Sequence, residues 1–186
     1  MTKWGTLARE DDGGDMSMFG GTGGRAQGEN LATEETSIRG MVIRLPPSVH
    51  GKGDKGFVPM LIEFAKKGGC SAYLGEGTNI WPGVHVDDAA RCYVDALEKG
   101  KAGARYHAVG DSPGVHFKEI AQVIGTKLSL PTKSLAAGSD EAVAHFTWLA
   151  MFAAADNPVS NDKTRAELGW EPTRLGLLDD IVTNYP

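Results

Sequence analysis

Proton chemistry near neutral pH falls first to imidazole, whose ordinary pKa lies in that range, and the chain carries His50, His85, His107, His116 and His145. His50 stands just beyond the apolar run Val42-Ile43-Arg44-Leu45 and a Pro46-Pro47 break, and His85 directly precedes a helical pattern. Either could serve as a general base; His107, His116 and His145 read as structural. The histidines show neither HxxxH nor HExxH spacing, and Cys70 and Cys92 do not form a CxxC pair, so no metal site is expected. A serine nucleophile is not expected. The single glycine-rich candidate for a phosphate cradle, Phe19-Gly20-Gly21-Thr22-Gly23-Gly24-Arg25, follows no apolar strand and reads as a loop.

The elements that must position these side chains follow from hydrophobic periodicity. Met41 to Leu45 is a short β-type run, ended by prolines that cannot donate to a ladder. Residues 57–67 space Phe57, Leu61, Ile62, Phe64 and Ala65 as a helix face, with Gly68-Gly69 as a stop. A strand over 71–74 and a loop over 75–83 precede a helix over 86–99, for which Asp87 or Asp88 is the expected N-cap. A strand over 105–109 and a helix over 117–128 come next. Residues 140–155 form an apolar, Ala-rich helical stretch, and residues 162–172 form a short helix closed by Gly169 and Pro172. An amphipathic segment through Leu175, Leu178 and Ile181 ends the pattern. Strands alternate with helices, which favours an α/β fold. Residues 1–37, rich in glycine among acidic and small residues, read as an irregular N-terminal arm.

Composition narrows the function classes. A chain of 186 residues, 41% of them hydrophobic, can bury one ordinary core. The net charge is −5 and the basic residues are scattered, which argues against nucleic-acid binding. No apolar stretch reaches the roughly 18 residues of a membrane span, and Arg9 to Asp12 stand where a signal peptide would be apolar. A cytoplasmic protein with reduced thiols is the expectation.

Four segments carry a resemblance. Val42-Ile43-Arg44-Leu45-Pro46-Pro47-Ser48-Val49-His50-Gly51 resembles the strand-to-loop signature R-P-x-x-V-Y-G of the extended short-chain dehydrogenase/reductases, the NAD-dependent epimerase/dehydratase family. It differs by a Leu inserted after Arg and a His in place of Tyr. Val84-His85-Val86-Asp87-Asp88-Ala89-Ala90-Arg91 resembles the family's h-V-x-D-V-A-R element, the most specific match. Gly103 to Gly110 looks like its G-x-x-Y-n-v-g strand, and Lys163 to Pro172 resembles its closing K-x-x-x-E-L-G-W-x-P segment.

The resemblance implies a partial Rossmann-like parallel sheet with a small, mostly helical C-terminal substrate lobe. Residues 38–186 would be the C-terminal part of an NAD(P)-binding domain. It implies NAD or NADP as cofactor, with Pro46 and Ser48 beside it, His50 as the catalytic candidate, and Phe57, Trp81 and His85 lining the substrate pocket. Phe57 and Trp81 are equally readable as core packing. The family's Tyr and Lys would fall at Gly23 and Gln27, neither of which exchanges a proton near neutral pH, and Arg25 or Glu29 on the same helix could bind substrate or cofactor. The activity implied is oxidoreduction or epimerisation of a small hydroxyl- or carbonyl-bearing, sugar-like substrate, with a homo-oligomer open. Two alternatives stand beside it: a non-catalytic binding or docking remnant of the fold, and a truncated gene product lacking the cofactor half.

Overall fold

The computed structural model describes residues 5–13 and 24–186. Helix α1 (Gly24–Glu34) leads to strand β1 (Val42–Arg44), which Pro46 and Pro47 separate from β2 (Ser48–His50). Helix α2 (Phe57–Gly68) buries Val58, Leu61, Ile62 and Ala65 on one face and stops at Gly69, whose φ of 65° is the left-handed value a side chain would resist. Then come β3 (Ser71–Leu74), β4 (Ile80–Trp81), β5 (Gly83–His85) and α3 (Val86–Lys99). Strands β6 (Arg105–His107) and β7 (Val115–His116) lead into α4 (Phe117–Leu128), followed by β8 (Thr132–Leu135). The chain ends with α5 (Asp140–Phe146), a 3-10 turn (Thr147–Leu149), α6 (Ala150–Ala153), α7 (Asp162–Leu168) and α8 (Leu177–Asn184).

The strands meet in pairs. β1 lies parallel to β6, β2 parallel to β5, and β3 parallel to β8, while β4 runs antiparallel to β7. Parallel pairing of strands joined through helices makes this an α/β fold. One core gathers Leu61, Ile62, Trp81, Phe117, Phe146 and Ile181 between α2, α4, α5 and α8. A second packs Val84, Cys92, Tyr106, Leu168 and Trp170 between α3, α7 and the β1/β6 pair. Cys70 and Cys92 are both free and buried, and burial pushes the Cys92 thiol up to about 12, so it stays a protonated core side chain.

Several expectations are corrected. Residues 24–34, assigned by composition to an irregular arm, form α1. This helix buries no residue; polar ties hold it, chiefly the fork of Arg44 on the carboxylate of Glu29 at 2.7–3.1 Å. The N-cap of α3 is His85, whose Nδ1 accepts the Asp87 N–H at 3.2 Å, and not Asp87 or Asp88. The apolar stretch 140–155 is not one helix, because Thr147 turns to φ 52° after α5. Strands β2, β4, β5, β7 and β8 had no counterpart in the periodicity. Of the glycine-rich stretch, Phe19 to Gly23 lie outside the described residues, while Gly24 and Arg25 open α1.

Candidate functional site

The β2/β5 pair places His50 directly opposite His85. Their rings meet edge to face, 5.6 Å between centroids and 88° between planes. His50 is only 1% exposed, and its Nδ1 lies 2.7 Å from Asp180 Oδ2 on α8. Asp180 Oδ1 accepts the Asn184 amide at 2.6 Å, so both carboxylate oxygens act as acceptors. The hydrogen-bond network therefore places a proton on His50 Nδ1, and in the neutral ring Nε2 keeps a lone pair, buried without a partner among the described residues. His85 has the opposite tautomer: its Nδ1 accepts from the Asp87 N–H, so its Nε2 carries the proton. Two adjacent imidazoles thus offer one acceptor and one donor.

His85 faces a cavity of about 650 Å³. Its walls are the loop Gly51 to Asp54, the residues Pro59, Ile62 and Glu63 of α2, Asp87 at the head of α3, and Asn184 and Tyr185 at the end of α8. Gly51, at φ 121°, is a requirement of this arrangement, because a Cβ there would sit 2.9 Å from His85 Nε2. The phenol of Tyr185 donates to Asp54 Oδ2 at 2.5 Å and accepts the Gly51 N–H at 3.2 Å. Burial, helped by the Asp54 acceptor, pushes that phenol well above its ordinary value of 10, so Tyr185 is a fixed donor at neutral pH and not a base.

Two carboxylates anchor the surrounding chain. Asp111 accepts the Leu177 N–H at 3.0 Å and so fixes the start of α8, and burial raises its pKa. Asp88 is buried, which alone would raise its pKa, but the N–H groups of Arg174 and Thr173, at 2.9 and 3.1 Å, together with Arg91, hold it below the usual value. That carboxylate ties the C-terminal segment to α3.

The remaining candidates from the sequence lie elsewhere. The Ser48 hydroxyl is buried and accepts the Trp81 indole N–H at 2.8 Å. Trp81 is 2% exposed and packs edge to face with Phe117 at 5.3 Å and with Phe57 at 5.6 Å. Phe57 extends that aromatic cluster to Trp148 and Phe152. Pro46 is buried in the turn between β1 and β2. Ser48 thus lies under Trp81, and Pro46 has no N–H to give. Glu29 is occupied by Arg44, and Arg105 lies 3.6 Å from it. His107, His116 and His145 keep structural surroundings: His107 Nδ1 donates to the Ser160 carbonyl at 2.8 Å, and His116 caps α4. Asp180, Asp54 and Tyr185 were not singled out in the sequence. For Asp180 a signal existed, since Leu177, Asp180 and Ile181 share one buried helical face, and a charge on an apolar stripe needs a partner. Among the described residues no group of three His, Cys, Asp or Glu could hold a metal ion, and no helix is long and apolar enough to cross a membrane.

Comparison with known proteins agrees with this architecture. Residues 28–109 match the model of the NAD dependent epimerase/dehydratase family. The protein YLL056C of Saccharomyces cerevisiae is 48% identical over 155 residues, covering 83% of this chain and 51% of that protein. C2A9.02 of Schizosaccharomyces pombe is 49% identical over 147 residues, 79% of this chain and 49% of that one. The chain thus spans about half the length of the curated relatives it matches. Among solved structures, human epimerase family protein SDR39U1 (isoform 2), determined with NADPH, superimposes with a TM-score of 0.70 at 22% identity, over 97% of this chain and 60% of that one. PA4631, a nucleoside-diphosphate-sugar epimerase from Pseudomonas aeruginosa, gives 0.70 at 18% identity, over 96% of this chain and 59% of that one. At these identities the structural likeness establishes a Rossmann-like α/β fold.

Proposed function

The chain belongs to the NAD dependent epimerase/dehydratase family, spanning part of its fold, and on that premise we propose that it forms the substrate side of an NAD(P)-dependent oxidoreductase or epimerase. The substrate in this reading is a small hydroxyl- or carbonyl-bearing molecule of sugar-like kind. The observation that carries it is the register of β2 against β5, which sets His85 on the wall of a 650 Å³ cavity with His50 behind it. His85 Nε2–H is placed to donate to a substrate oxygen, and Asp180 orients His50 as an acceptor. The nicotinamide nucleotide is proposed for the whole protein on family grounds, with no step assigned to the described residues through it.

A second reading, a binding or docking protein without chemistry, is favoured by one observation: Ser48 and Pro46, which the resemblance sets beside the cofactor, are both buried. Titration of the purified chain with NADH and NADPH, followed by nicotinamide fluorescence and calorimetry, separates the two, with a urea melt to show that the chain is folded. Saturable binding by the folded chain is the outcome expected of the oxidoreductase. A folded chain that binds neither nucleotide replaces that reading with the second.

A further inference from the structure

The charges on the cavity walls select among substrates. We infer that this site takes an uncharged or cationic hydroxyl-bearing molecule and turns away a nucleoside diphosphate. The inference rests on the proposed function and narrows its substrate.

A helix N-terminus ordinarily offers free N–H groups to a phosphate, and α2 begins on this cavity. Here the N–H of the cap residue Gly56 is already taken by a carboxylate. Asp54 Oδ1 accepts the Gly56 N–H at 2.6 Å, and its Oδ2 accepts the Tyr185 hydroxyl at 2.5 Å. The Gly51 N–H goes to the Tyr185 oxygen at 3.2 Å. The third helical residue, Pro59, has no N–H to give. An arriving phosphate would therefore meet a carboxylate in the place where donors should be.

Glu63 from α2 and Asp87 from α3 add carboxylates on two further walls, against a single ammonium, Lys52. Glu63 has Lys66 at 3.2 Å and Asp87 has Arg174 at 3.4 Å. The Glu63 and Asp87 side chains are 57% and 55% exposed, so their repulsion is screened and in part offset by these partners, which leaves Asp54, with no ion pair among the described residues, as the main barrier to an anion. Two like charges about 4 Å apart in water-like surroundings cost roughly fivefold in affinity.

The same walls suit a hydroxyl. His85 Nε2–H can donate to its oxygen, and the Asp87 carboxylate, 3.8 Å from the His85 Nδ1, can accept its hydrogen. An ammonium would gain from the carboxylates directly.

The test uses the full chain, with histidine ring resonances followed by NMR and affinities measured by calorimetry. Methyl glucoside, glucosamine and UDP-glucose are the probes. The first two are expected to shift the His85 resonances and to bind at least tenfold more tightly than UDP-glucose. Glu63→Gln should narrow that ratio by several-fold. UDP-glucose binding as tightly as the sugars, and weakened by Lys52→Ala, overturns the inference; so does binding of none of the three. Either failure leaves the oxidoreductase reading standing on the separate NADH and NADPH titration, whereas sugar binding without nucleotide binding removes the oxidoreductase and keeps the site.

Discussion

His50 has one ring nitrogen bonded to a buried carboxylate and the other bare, and each half of that arrangement has an energetic consequence. A buried acceptor left unpaired costs about 1–3 kcal/mol, so the fold tolerates Nε2 at some expense. Breaking a buried pair by removing one partner costs about 3–5 kcal/mol. Asp180→Ala should therefore lower stability by about that much, since it strands His50 Nδ1–H and frees the Asn184 amide as well. The check is the urea midpoint in a double-mutant cycle with His50→Phe: the two losses should fall short of adding by at least about 1 kcal/mol. Strictly additive losses would show that the pair does not act as a unit. At this scale the sequence was half legible. His50 and His85 could be picked out because imidazoles beside strand ends are few. Asp180 meets His50 only after the chain returns 130 residues later, and no local pattern encodes that meeting.

Elements were legible where one face is apolar at regular spacing. Helices α2, α3 and α4 stand within a residue of their expected bounds, because their buried positions recur at helical spacing. The two-residue β4 and the exposed Lys133-Ser134 of β8 carry no such pattern, and the break at Thr147 interrupts an Ala-rich run that propensity alone would continue. The loop after β2 is where an element decides the site. Gly51 and Gly53 both have positive φ, 121° and 87°, but only Gly51 has a neighbour within reach of a Cβ, whereas at Gly53 nothing lies within 4 Å. Gly53→Ala should cost about 1 kcal/mol from backbone strain alone. Gly51→Ala should cost about 1–3 kcal/mol more, because it also drives His85 off the cavity wall. Urea midpoints give the energies and the His85 resonance gives the displacement; equal costs with an unmoved His85 would refute the close approach as the reason for Gly51.

Across the whole molecule, the described N-terminal residues are held chiefly by polar groups, with Ala8 packed into a small cluster with Val109 and Val159. Glu10 accepts from the Thr164 N–H and hydroxyl at 2.9 Å, Arg44 reaches the Asp12 carbonyl at 2.9 Å, and Glu29 clasps Arg44. Composition could not reveal this, since Arg44 and Thr164 lie far along the chain from their partners. Because α1 buries no residue, Glu29→Ala should let the amides of α1 exchange at least tenfold faster while those of α2 and α4 are unchanged. Uniform protection after the substitution would show that something other than this fork holds the helix.

The same network bears on pH. Burial holds the His107 imidazole below its ordinary 6.5, with the nearby Arg44 acting in the same direction and Ser160, Glu10 and Glu29 opposing. Burial also lowers the value for His145. A base whose folded value is depressed takes up its proton more readily in the unfolded chain, so stability is complete above 6.5 and declines as pH falls toward the folded values. The limiting slope is about 1.4 kcal/mol per pH unit for each histidine. Urea midpoints between about pH 7.5 and 5.5 should fall accordingly, and His107→Gln, which keeps an amide N–H for the Ser160 carbonyl, should flatten the curve. A slope unchanged by that substitution would place the pH dependence outside this network and make His107 a packing residue alone.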